Sequence, residues 1–172
     1  MAEWLWYFWV YSFFGYLLEK VFAWWTKAEQ QVRKCCWLLP LCPVYGLGMA
    51  AVLALPAALR DSLWLPLLGG VIATVVEYAV HWFYDTALGV RFWDYSNVRG
   101  NLRGRVCPAF SVVWGLLTAL AVWFVQPWVA ALVARIPWQV TYGMLLLFTA
   151  DALCAGRILR VTGDVEALRL IG

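Results

Sequence analysis

Charge is what this sequence has least of. Lys, Arg, Asp and Glu make up 13% of its 172 residues, hydrophobic residues make up 65%, and histidine occurs once. So small a charged fraction cannot solvate the surface of an ordinary water-soluble domain, and the natural solvent of such a chain is a lipid bilayer. Polar tails, low-complexity linkers and soluble-domain stretches are missing too, which points to one integral membrane domain over residues 1–172. No GxxxxGK[ST] nucleotide-binding loop occurs, so an ATP-driven activity requires a separate ATPase subunit. The CxxC pairings of structural zinc sites are absent, and no metal or other cofactor is expected. No familiar catalytic motif is present, which weighs against an enzyme.

Aromatic residues are abundant: thirteen Trp, eight Tyr and nine Phe. Amphipathic rings favour the two headgroup interfaces, and Trp4, Trp6, Trp24, Trp25, Trp64, Trp82, Trp128 and Trp138 stand near the ends of apolar runs. Measured against the roughly 20 residues that cross a bilayer, those runs fall at 4–25, 44–59, 62–84, 106–126 and 139–156. They describe an all-α, polytopic transmembrane bundle of about five spans. Glu3 stands where a secretory signal would be basic, and the stretch from Trp4 to Trp25 is aromatic, so the first run reads as a retained span. The second is the shortest; with Leu38, Leu39, Pro40 and Leu41 before it, it suggests a bent or re-entrant lead-in.

Basic residues orient the bundle. Lys27, Arg33, Lys34, Arg91, Arg99, Arg103, Arg105, Arg157, Arg160 and Arg169 fall on one side of the five spans, and Arg60 and Arg135 on the other. The basic side stays in the cytoplasm, so the expectation is a bacterial inner-membrane protein with its amino terminus outside and its carboxyl terminus inside. The net charge of +3 then reports topology rather than nucleic-acid binding.

Five ionisable groups fall within the spans: Glu19, Lys20, Glu77, His81 and Asp151. Such groups are costly in hydrocarbon and face a bundle interior or a wet cavity. Lys20 is close enough to the inner interface to extend its ammonium into the headgroups. Glu77 and His81, four apart, share a helix face and either satisfy each other or bracket a ligand. Glu19 shares a face with Ser12 and Gly15, small residues that allow close helix approach. Asp151 reads either as a helix-locking group or as a functional one. Glu19, Glu77 and His81 lie within about two turns of the cytoplasmic ends of their spans, which makes an inward-open polar site.

Cys35, Cys36, Cys42, Cys107 and Cys154 fall near the cytoplasmic face, where thiols stay reduced. Cys42-Pro43 and Cys107-Pro108 each precede an apolar run; proline suits a first helical turn, so each cysteine is placed to cap a helix. These dipeptides belong to an internal echo. Glu19, Arg33-Lys34, Cys42-Pro43 and Tyr45-Gly46 are followed by Glu77, Arg103-Gly104-Arg105, Cys107-Pro108 and Trp114-Gly115. The order and membrane direction are shared although the spacing is not, the pattern of a parallel internal repeat. Between the copies, Asp85 to Val106 is rich in hydrogen-bonding groups, including Trp93-Asp94-Tyr95-Ser96, Asn101 and Arg105. That loop can fold back as a lid, while Asp94 and Asn101 equally suit turns and caps.

Tyr11-Ser12, Gly15-Tyr16, Glu19, Pro43-Val44-Tyr45-Gly46, Glu77, Trp93-Asp94-Tyr95-Ser96, Asn101, Gly104-Arg105-Val106-Cys107, Ser111 and Trp114-Gly115 together resemble the bacterial CmpB-like family of ABC-transporter type IV permeases. Cys35, Cys36 and Leu39 stand where that family carries glycines, and no family signature follows Gln126. The resemblance implies a permease-like label, and with the residues read above the first hypothesis is a permease-like subunit working as a homo-oligomer among membrane lipids, with a separate ATPase where ATP is used. Such a subunit binds or moves a small solute at Glu19, Glu77 and His81, with Tyr45, Trp93, Asp94, Asn101 and Arg105 as further contacts. Two rival readings stand beside it. One is an intramembrane enzyme on a lipid or lipid-linked substrate, with Glu77 or His81 as general base and Arg103 and Arg105 on an anionic headgroup. The other is a non-transporting accessory protein.

Overall fold

The structure, a computed structural model, describes residues 2–27, 32 and 34–169. Among these the chain is helical, without strands; one isolated bridge pairs Leu102 with Val106. Arg33, counted in the basic loop and in the first copy of the echo, lies outside the described residues.

Helix α1 (Ala2–Thr26) stops where Lys27 takes a left-handed conformation, φ 51°. The next described stretch is non-helical and leads to Cys42, the N-cap of α2 (Pro43–Leu53), with Pro43 in its first turn. A short α3 (Ala57–Arg60) follows. The apolar run expected as one span over 44–59 is therefore broken: Pro56 lacks the N–H that would bond one turn back, and its ring disfavours helical backbone at Leu55. At 11 residues α2 is about 16 Å long, short of a full crossing.

Helix α4 (Leu65–Phe83) widens into a π turn at Tyr84–Leu88, closed by Gly89 at φ 70°. Helix α5 (Pro108–Leu120) passes through a second π turn (Ala121–Val125) into α6 (Gln126–Val133), so the helix outruns the boundary expected at 126. Pro127 explains the widening, because a proline inside a helix removes a bond and crowds the preceding turn. Helix α7 (Trp138–Thr162) ends at Gly163, φ 66°, and a 3₁₀ turn (Val165–Leu168) follows. Two helices, Leu65–Leu88 and Pro108–Val133, are long and apolar enough to cross a membrane. Helices α1 and α7 have 25 residues each; α1 is rich in Trp and Tyr and α7 carries Gln139, Asp151, Arg157 and Arg160, which lower their mean hydropathy.

The packing is built from two hairpins, α1 with α2 and α4 with α5, joined through α2 and α4. Both close on glycine. A Cβ at Gly46 would stand 2.3 Å from the Phe8 carbonyl oxygen, and one at Gly115 would stand 2.2 Å from that of Pro66. Phe8 and Pro66 each lie eleven positions before the glutamate of their own helix, Glu19 and Glu77, so the two contacts are equivalent in register. Away from this point, Tyr11, Val52, Leu65, Ala119, Val129 and Val133 form one apolar core. A second, beside the glutamates' end, gathers Cys35, Cys42, Val90, Phe92, Leu159 and Leu168.

Asp151 has a defined place. Its carboxylate accepts the backbone N–H groups of Leu38 (2.8 Å) and Leu39 (2.6 Å), pinning the bent segment before α2 onto α7. Of the two readings left open, this geometry is the locking one.

Gly115→Ala is expected to destabilise the protein by about 2 kcal/mol, since a methyl group cannot fit against the Pro66 carbonyl. Gly143→Ala, where an added Cβ meets nothing within 4 Å, should leave stability unchanged or slightly raised. Thermal unfolding in detergent distinguishes the two; equal effects would refute the glycine contact.

Candidate functional site

Glu19 and Glu77 sit at the same end of the bundle, each engaged by the aromatic residue that precedes its hairpin's glycine. Tyr45 Oη donates to Glu19 Oε1 at 2.6 Å, and Trp114 Nε1 donates to Glu77 Oε2 at 3.2 Å. The Tyr45 and Trp114 rings meet edge to face at 5.4 Å, so the two carboxylates are linked through a pair of aromatic side chains. Tyr95 Oη supplies Glu77 with a second donor, on Oε1 at 3.0 Å. Its ring stacks on Phe110 at 5.0 Å, and Phe110 lies 5.8 Å from Trp114. Glu77 is 6% exposed; burying a carboxylate costs several kcal/mol unless it is hydrogen-bonded, and the two donors offset that cost.

Tyr95 reaches Glu77 because its loop is knitted to itself. Asp94 Oδ1 accepts from the Ser96 amide (2.8 Å) and hydroxyl (2.5 Å). Asn101 Nδ2 donates to the Val98 carbonyl at 2.8 Å, and Asn101 Oδ1 accepts from the Gly104 amide at 2.9 Å. The Tyr95 amide bonds the Gly104 carbonyl at 2.8 Å. Gly104 is required twice over: its φ is 69°, and a Cβ there would strike Asp94 Oδ1 and Ser96 Oγ. Asp94 and Asn101 thus shape the loop. The Ser96 hydroxyl, then the Ser96 amide, hold the Asp94 carboxyl below its usual range.

Trp93 ties the same loop to His81 and Arg105. Its carbonyl oxygen lies 3.0 Å from His81 Nε2, its ring meets the imidazole at 5.2 Å, and its Nε1 donates to the Arg105 carbonyl at 2.9 Å. Arg105 Nη2 donates to Asp85 Oδ2 at 3.1 Å and Nη1 donates to Tyr78 Oη at 3.1 Å; Arg91 Nε bonds the other Asp85 oxygen at 2.9 Å. Glu77 and His81, placed together by their spacing, are engaged by separate partners: Glu77 by Tyr95 and Trp114, His81 by the Trp93 carbonyl. Lys20 is exposed.

Cys42 and Cys107 occupy the N-cap positions of α2 and α5, but neither thiol makes a capping bond, which corrects the capping role expected of them. The Cys42 backbone does the anchoring, its amide donating to the Ser12 carbonyl at 2.9 Å. All five cysteines are free. Among the described residues no group of three or more His, Cys, Asp or Glu side chains is placed to hold a metal ion. A cavity of about 540 Å³ lies elsewhere, between α2, α4 and α7, lined by Pro43, Leu47, Val80, Phe83, Ala152 and Gly156 among others; Glu19, Glu77 and His81 are not in its wall.

Sequence reasoning brought out both glutamates, Tyr45 and the loop, but gave Tyr95, Trp114, Asp85 and Tyr78 no site role. Tyr95 and Trp114 stood within the very motifs that pointed to the region; Tyr78, one position after Glu77, and Asp85, at the start of the loop, carried no distinguishing signal.

Among the described residues the chain is an all-helical bundle with two helices long and apolar enough to cross a membrane, and with Glu19 and Glu77 at one end. The family described as "Putative ABC-transporter type IV" matches residues 6–155, and the chain belongs to that family. No curated protein and no solved structure matches the chain.

Asp94→Ala removes both bonds to Ser96, which at this exposed position are together worth about 1 kcal/mol. Hydrogen exchange over residues 95–106 should accelerate roughly five- to tenfold while α4 and α5 stay protected. The depressed Asp94 pKa means that its contribution is present above the unfolded value of about 3.9 and is lost as pH falls through the lower folded value. Protection in wild type, corrected for intrinsic rates, should therefore be level from pH 8 to 5. A loop that loosens near neutrality would contradict the assignment.

Proposed function

We propose that this chain is the membrane-embedded, permease-like subunit of an ABC-type transporter, with an inward-facing polar seam that binds or passes a small solute. The observation that carries the reading is the linkage Glu19–Tyr45–Trp114–Glu77–Tyr95, which joins both hairpins and the 93–106 loop at one end of the bundle. Carboxylates accept hydrogen bonds and aromatic faces attract cations, so the seam suits a solute that brings donors or positive charge.

The membrane reading has its own support. Val112, Leu116, Leu120 and Phe124 form an exposed apolar row along α5 and its extension, and Leu67, Val71 and Val75 form another along α4. In water such rows would be a liability. Trp24, Trp25 and Trp82 are exposed toward the glutamates' end, and Trp4, Trp64, Trp128 and Trp138 toward the other, as two interfacial belts require. In this reading α1, α2, α4, α5–α6 and α7 are the five passes, α2 completing its crossing with the segments that flank it. The amino terminus is outside, and the basic loops and the carboxyl terminus are in the cytoplasm of a bacterial inner membrane. The matched glycine contacts and glutamate–aromatic bonds support descent of the two hairpins from one repeated unit. In this reading a separate ATPase drives the subunit, which works as an oligomer. Binding is favoured over catalysis because Glu77 and His81 are held by different partners rather than by each other.

Native mass spectrometry of protein released gently from membranes tests the proposal. Wild type should retain a small-molecule adduct that Glu77→Gln binds at least tenfold more weakly, the equivalent of one charge-assisted hydrogen bond. Identical adduct spectra for the two proteins would remove the seam as a binding site.

A further inference from the structure

The 540 Å³ cavity between α2, α4 and α7 stands apart from the acidic seam and has a different chemistry. Its wall is almost wholly apolar: Leu47 from α2, Val80 and Phe83 from α4, Phe148, Ala152 and Gly156 from α7. The polar side chains that border it are few, Cys35, Cys36 and Tyr84. Along α7 the lining runs from Phe148 to Leu159, which at 1.5 Å per residue is about 16 Å. That is close to half of a hydrocarbon core about 30 Å thick, the depth of one leaflet. The inner end of this wall is basic. Arg160 follows Gly156 by four positions, on the same face of α7, and is exposed. Helix geometry thus sets a cation at headgroup level beneath a groove one acyl chain deep.

We propose that this groove is a binding site for one acyl chain of an anionic phospholipid of the inner leaflet, with the lipid phosphate held by Arg160. The site rests on the membrane reading above and is independent of the solute seam. Depth selects a single chain, the apolar wall excludes a hydrated solute, and charge at the mouth favours an anionic headgroup over a zwitterionic one. Gly156 keeps the groove open: a Cβ there meets nothing within 4 Å, so a larger side chain would enter the groove rather than push helices apart.

The full chain is reconstituted in nanodiscs that contain phosphatidylglycerol or phosphatidylethanolamine with a photoreactive group on one acyl chain, and labelled peptides are mapped. Wild type should be labelled at Val80, Phe83 and Ala152, at least fivefold more by phosphatidylglycerol. Gly156→Phe, and independently Ala152→Phe should the first variant fail to fold, should abolish that labelling and leave the outer face at Val112 and Leu116 labelled as before. Arg160→Gln should keep the labelling and lose the headgroup preference. Groove labelling no stronger than at Val112, or unchanged in a folded filling variant, overturns the lipid site alone. Failure of the chain to remain in the membrane fraction after carbonate washing overturns the membrane reading and the lipid site with it.

Discussion

A carboxylate in an apolar bundle must be given donors, and the way Glu77 receives its two organises much of this protein. One donor, Trp114, comes from the next helix and fixes how α5 lies on α4. The other, Tyr95, comes from the connecting loop and draws that loop back over the helix ends. Neither donor arrives at the right place unless the backbone approaches closely at Gly70 and Gly115, and unless Asp94, Ser96, Asn101 and Gly104 hold the loop in one shape. The acid is thus the point at which helix packing, loop geometry and the candidate function meet.

The first hairpin solves the same problem with different residues. Glu19 takes its donor from Tyr45, Gly46 makes the close approach, and Ser12 occupies the level that Gly70 occupies in the second hairpin. The contact of Tyr45 with Trp114 then couples the halves directly, ring against ring. The two glutamates are thereby joined through two side chains. Asp151 is engaged differently: it binds backbone amides ahead of α2, and so steadies the element that carries Tyr45.

Much of this was legible from residue types. A Glu near a helix end and an aromatic-Gly pair after the following Cys-Pro are legible as a repeated pattern in both halves, but the bond from the aromatic side chain to the acid is not. Other features were not legible. The spacing of Glu77 and His81 fits a bonded pair, yet local spacing cannot reveal that Tyr95 and the Trp93 carbonyl, brought in by the loop, engage them separately. Apolar length made 44–59 look continuous, whereas Pro56 breaks it; it also ended the fourth run at 126, whereas a π turn carries the helix past Pro127. The groove beside α7 is invisible in sequence because residues from distant helices line it, and its key residue, Gly156, is defined by the space around it.

The central claim is that Glu77 and Tyr95 act as one unit joining helix to loop, and a double-mutant cycle tests it most directly. Unfolding free energies in detergent would be compared for wild type, Glu77→Gln, Tyr95→Phe and the double variant. A coupling of about 1 kcal/mol or more is predicted, within the range found for residues in direct hydrogen-bonded contact. Strict additivity of the two substitutions would contradict the account.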